Sequence, residues 1–179
     1  PKAWCRRQKN YKICETNFAY FMIILGIDPG LAITGYGIIN ETKQGINLIA
    51  YGCINTSSKF SAIERLEKIY QELRKIIKKY NPENIGVEKL FFAKNAKTAL
   101  MVGEARGVIL LTIKQAKVPF FEFTPLQVKQ AITTYGRASK QQIQKMIKLI
   151  LNLKEIPKPD DAADALAIAI TCSQTKINL

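Results

Sequence analysis

Residues 22–40, MIILGIDPGLAITGYGIIN, decide the fold. An apolar run, Ile23, Ile24, Leu25, Gly26 and Ile27, stops at a carboxylate, Asp28, turns at Pro29-Gly30 and resumes as an alternating strand from Thr34 to Ile39. The run is too short to cross a membrane and is bounded by a turn signal, so it reads as a buried central strand. A carboxylate at the end of such a strand is costly unless a cation meets it, which makes Asp28 the first candidate active-site residue. Asp before Pro-Gly is also ordinary turn chemistry. Gly30, Gly35 and Gly37 suit a turn with positive φ and leave room for a ligand to approach the backbone.

Working outward, Glu41 to Gly45 reads as a polar turn and Ile46 to Ile54 as a third strand, which gives an antiparallel meander. Ser57, Ser58 and Ser61 offer caps for a helix over Ala62 to Tyr80, with Ile63, Leu66, Ile69, Tyr70, Leu73, Ile76 and Ile77 on its apolar face; Asn81-Pro82 stops it. Asn84 to Val87 is a short apolar strand, and again an acid, Glu88, closes it. If the two acid-ended strands are parallel neighbours, both acids lie on one sheet edge, where ligand sites of α/β proteins gather. A surface pair of Glu88 with Lys89 is the plain alternative.

Phe91 and Phe92 stand between Glu88 and the basic Lys94 and Lys97, as core residues or as a stacking platform for unpaired bases flanked by phosphate-binding lysines. Lys94 to Ala116 reads as a long helix whose Ala99, Gly103 and Gly107 permit close approach of another element. Val118 to Phe123 is a fifth strand, Thr124-Pro125 opens a short helix through Ile132, residues 133–138 form a loop, and Ser139 caps a basic amphipathic helix over Lys140 to Leu151. Lys129, Arg137, Lys140, Lys145 and Lys148 could form a phosphate-binding rim or a solvated face. Past Pro157 and Pro159, Asp160 to Ile170 is a helix apolar almost all round, with Asp160 placed as its cap and Asp161 and Asp164 sharing a face. The helix dipole accounts for Asp160 and leaves Asp164 unexplained.

The 179 residues suit one domain, expected to span 22–175. Residues 1–21 lack apolar periodicity, carry five basic residues against one acidic, and are expected to be an extension that is disordered or not native, with Met22 as the natural start. The segment FAYFMIILGI lacks the small-residue cleavage site of a signal peptide. Lys and Arg outnumber Asp and Glu by 27 to 14, a net charge of +13 that favours a polyanionic partner. Four scattered cysteines fit a reducing cytoplasm. The absence of histidine removes Ser-His and Cys-His triads and the usual zinc sites, leaving carboxylates and hard metal ions as tools. Were Asp28, Glu88, Asp161 and Asp164 to converge, a site of about −4 charge at pH 7 would require cations. Two Mg²⁺ ions about 3.5–4 Å apart would neutralise it and clamp a phosphodiester for in-line attack by water.

The sequence closely resembles the RuvC Holliday-junction resolvases through GIDPGLAITGYGII at 26–39, VEKLFFAKNAKTAL at 87–100, GEARG at 103–107, PLQVKQAI at 125–132 and DAADALAIAIT at 161–171, in order and well spaced. The resemblance implies an α/β, RNase H-like fold with a mixed five-stranded sheet flanked by helices, working as a cytoplasmic homodimer with Mg²⁺ or, in its place, Mn²⁺. It implies that Asp28, Glu88, Asp161 and Asp164 are catalytic metal ligands, that Phe91 stacks near the crossover, and that Lys129 and Lys140 touch DNA; Phe92, Lys94 and Arg137 are added as candidate DNA contacts. It further implies symmetric cuts in two opposed strands of a four-way junction during recombination and repair, with the RuvA and RuvB branch-migration proteins as partners. Cys172 stands where many relatives carry His.

Other readings remain at this level: an RNase H-like nuclease acting on RNA or RNA–DNA hybrids, or a silent junction-binding protein. A sugar-kinase or actin-like ATPase also begins with a strand, an acid and a glycine turn, but needs a second similar domain.

Overall fold

β1 (Phe21–Asp28) takes the centre of a five-stranded sheet because its apolar run can be buried on both faces at once. Ile24 points to one side of the sheet with Ile39, while Leu25 and Ile27 point to the other with Ile38, Ile85 and Val87, and every one of them is fully buried. The structure, a computed structural model, describes residues 21–89 and 96–175. The expected extension therefore lies outside the described residues except for Phe21, which opens β1; Phe91, Phe92 and Lys94 lie outside them too.

β2 (Ile33–Thr42) and β3 (Gly45–Asn55) continue from β1 as the expected antiparallel meander, and β4 (Asn84–Glu88) and β5 (Phe120–Phe123) add parallel strands on its other side, giving the order β3-β2-β1-β4-β5. β5 begins two residues later than expected: Pro119 has no N–H to give the ladder and contributes only its carbonyl, which accepts from the Ile85 N–H at 3.0 Å.

α1 (Ala62–Tyr80) and α2 (Ala96–Ala116) cover one face, and α3 (Pro125–Thr133), α4 (Lys140–Ile150) and α5 (Asp160–Ser173) the other. Ser61 caps α1 reciprocally, its hydroxyl accepting from the Glu64 N–H while Glu64 accepts from the Ser61 N–H at 2.8 Å; Asn81 ends the helix in the left-handed region at φ 45°. Ile63 is 78% exposed and not on the buried face, since six residues at 100° each set it about a third of a turn away from Ile69. α2 meets α1 through Ala105, Ile109 and Ile113, whereas a side chain on Gly107 would touch nothing, so the small residues of α2 serve no close approach at that point. At α5 the extended backbone of Pro159 (φ −72°, ψ 176°) holds the capping position, which makes Asp160 the first helical residue and not the cap.

Candidate active site

α5 lies almost on the backbone of the sheet, and this contact builds the site. A side chain on Gly26 would collide with the Ala165 carbonyl and the Ala169 backbone, and one on Gly35 with the Asp161 carbonyl. A side chain on Gly37 would meet Leu166. The glycines of β1 and β2 thus form a bare track on which the alanine-rich helix rests, with Ala162, Ala165 and Ala169 fully buried. The space expected for a ligand at Gly35 and Gly37 is filled by α5. Gly30 is tight for a different reason: a side chain there would strike the Ile33 carbonyl, and its backbone does not need a positive φ.

Two parallel strands set the first pair of acids. The register Ile27↔Val87 makes Asp28 and Glu88 neighbours on the same sheet edge. Their carboxyl groups share a hydrogen bond in which the protonated Asp28 donates to Glu88. Burial, and then the charges of Glu88, Asp164 and Asp161, push the Asp28 carboxyl up to about 8. Glu88 is also raised, chiefly by burial and further by Asp164, with the Asp28 hydrogen bond acting against both. Asp164, in the second turn of α5, is raised by burial, while Lys140 pulls it back. Asp161 stands in the first turn of α5, half-buried, and its charge is felt by Asp28 and by the Cys53 thiol on β3. Both Cys53 and Cys172 are free thiols.

The basic residues divide. Lys129 and Lys140 line a cavity of about 250 Å³ together with Glu88, Asp164, Pro125, Val128 and Ile143. Lys140 places its ammonium 3.1 Å from Asp164 and 3.1 Å from Asp160. Arg137 sits on the exposed turn between α3 and α4, outside that lining. The Asp160 contacts, to Lys140 and to the Gln144 amide at 2.9 Å, are not expected from the sequence pattern; the one signal for them is the placement of Lys140 and Gln144 one turn apart on the same helix.

A hard divalent cation fits this donor set. Every candidate ligand is a carboxylate, and the burial and repulsion that raise Asp28 are both offset by positive charge. As the side chains are placed, no three acid or cysteine groups among the described residues close round a single point. They stand in two pairs, Asp28 with Glu88 through one proton, which leaves a single negative charge, and Asp164 with the Lys140 ammonium. An incoming cation therefore has a proton and an ammonium to displace.

A mixed five-stranded sheet with acids from its central strand, from the adjacent parallel strand and from a helix packed across them defines an RNase H-like nuclease. Residues 24–172 match the family model described as crossover junction endodeoxyribonuclease RuvC. The crossover junction endodeoxyribonuclease RuvC of Halothermothrix orenii is 58% identical over 149 residues, 83% of this chain and 90% of that protein. T. thermophilus RuvC, solved in complex with a Holliday junction substrate, superposes with a TM-score of 0.81 at 36% identity over 85% of this chain and 93% of its own. The yeast mitochondrial Holliday junction resolvase Ydc2 shares the fold, with a TM-score of 0.62 at 16% identity, covering 83% of this chain and 76% of that one. The chain belongs to the RuvC crossover junction endodeoxyribonuclease family, whose members are metal-dependent nucleases. No helix among the described residues is long and apolar enough to cross a membrane.

Proposed function

We infer that this chain resolves four-way DNA junctions by hydrolysing one phosphodiester in each of two opposed strands, with Asp28, Glu88, Asp161 and Asp164 as the ligands of two Mg²⁺ ions. The observation that carries the reading is the seating of α5 on the glycine track, which delivers two aspartates to the edge already holding Asp28 and Glu88. Divalent cations, when bound, supply activation of water and neutralisation of the leaving oxygen. Mn²⁺ would substitute, having the same preference for oxygen ligands.

The protein's own groups position and neutralise. Asp28, whose carboxyl feels the charges of the other three acids, gives up its proton to become a ligand. Glu88 and Asp164 both line the cavity. Lys129 and Lys140, at the same cavity, meet the phosphates of the entering strand. Phe91 and Phe92, three and four residues after Glu88 in the chain and with Lys94 two residues further on, supply stacking at the crossover.

A junction with approximate two-fold symmetry calls for two active sites related by an axis, hence a homodimer. The exposed face of α2, with Leu100 66% and Leu111 56% exposed and Gly107 between them, is the surface it would use. RuvA and RuvB are the expected branch-migration partners, in the cytoplasm. The test offers end-labelled four-way junction, linear duplex and RNA–DNA hybrid to the protein with Mg²⁺ or with EDTA. Nicking of the junction alone, only with Mg²⁺, is expected; preferential cutting of the hybrid would replace the substrate while keeping the metal site.

A further inference from the structure

The Lys140 ammonium is shared. It lies 3.1 Å from Oδ2 of Asp160 and 3.1 Å from Oδ2 of Asp164. The two acids differ in their surroundings. Asp164 faces the cavity with Glu88 and Lys129, whereas Asp160 is 61% exposed at the start of α5. Asp160 is nonetheless held, because its Oδ1 accepts from the Gln144 amide at 2.9 Å. With one oxygen fixed by Gln144 and the other on Lys140, its carboxylate is a rigid seat beside the site and not a freely turning surface acid.

Asp164 cannot serve a divalent cation and the ammonium equally, since the two positive charges repel at that distance. In a site with Asp164 alone, metal entry would push the ammonium into solvent and lose its ion pair. Here the ammonium keeps a partner when it leaves Asp164, and stays at the cavity mouth. We propose that Asp160 is a positioning residue that parks Lys140 when a divalent cation takes Asp164, so that metal entry does not expel the lysine from the site. This rests on the reading of Asp164 as a metal ligand. Gln144 aligns the seat, and Lys140 keeps the place from which it can meet a phosphate.

The parking role differs from a plain contribution of negative charge, and a double-mutant cycle separates them. Mn²⁺ binding is measured by electron paramagnetic resonance on the full chain without DNA, for the wild type, Asp160→Asn, Lys140→Met and the double variant. Each variant's fold is checked by circular dichroism. Asp160→Asn leaves the ammonium with Asp164 as its one acid partner among the described residues, so the Mn²⁺ dissociation constant rises about 2- to 5-fold, the scale of an exposed ion pair. In the Lys140→Met background the same change has little effect. An equal weakening in both backgrounds overturns the proposal, because Asp160 would then act through its own charge alone. Failure of the folded wild type to bind Mn²⁺ at all would overturn the metal reading, and the parking role with it.

Discussion

Gly35 and Asp161 are in backbone contact: the Asp161 carbonyl occupies the place a side chain on Gly35 would take. Gly35→Ala therefore pushes the first turn of α5, and with it Asp161, away from the sheet edge. Overpacking of this kind costs about 1–3 kcal/mol. The expected result is a lower urea midpoint together with at least a tenfold fall in junction cleavage; wild-type values for both would mean that α5 does not depend on this contact.

Asp28→Asn removes the acid while keeping an N–H donor for Glu88. Cleavage is lost and junction binding is retained, as seen by gel shift with Ca²⁺ in place of Mg²⁺. A loss of binding or folding on this change would mark Asp28 as structural.

The raised Asp28 carboxyl ties stability to pH. In the folded chain it keeps its proton up to about 8, whereas the ordinary value is 3.8, so the native state binds the extra proton between those limits. Its contribution to stability is therefore fully present below 3.8 and is lost as the pH rises through 8. In EDTA the melting temperature should fall across this interval, and Mg²⁺ should restore it at the upper end. Asp28→Asn in EDTA at high pH should be more stable than the wild type, by on the order of 2 kcal/mol or roughly 4–8 °C. Differential scanning fluorimetry in both buffers reads each effect.

Much of the fold was legible because it rests on local rules. The apolar run of β1, the Ser61 and Glu64 capping box and the Asn81 stop are all readable from neighbours in sequence. The pattern of two acid-ended strands places both acids on one edge if the strands are parallel neighbours, and the register meets that condition. The purpose of Gly35 and Gly37 was not legible, since their missing side chains answer to a helix that begins more than a hundred residues later. The place of Asp160 was not legible for a similar reason: Pro159 takes the cap position, and the Asp160 carboxylate is set by Lys140 and Gln144 of α4. The small residues of α2 suggested a close approach, yet Gly107 faces open space in this chain.

Lys129 is half-buried at the cavity that holds Glu88 and Asp164, which makes it the lysine best placed for a phosphate near the cut. Lys129→Ala should weaken junction binding by a similar factor whatever the sequence at the crossover, and should lower the salt dependence by about one unit of slope. Binding isotherms at several salt concentrations measure this; an unchanged slope would remove Lys129 from the contact surface.

The most direct test of the account takes Asp28→Asn, Glu88→Gln, Asp161→Asn and Asp164→Asn separately to one end-labelled four-way junction, with Mg²⁺ cleavage and Ca²⁺ binding measured side by side. Each variant should bind the junction and fail to cut it, while the wild type leaves paired nicks at symmetric positions in two opposed strands. A variant that cuts at the wild-type rate would take that acid out of the metal site and contradict the four-carboxylate account.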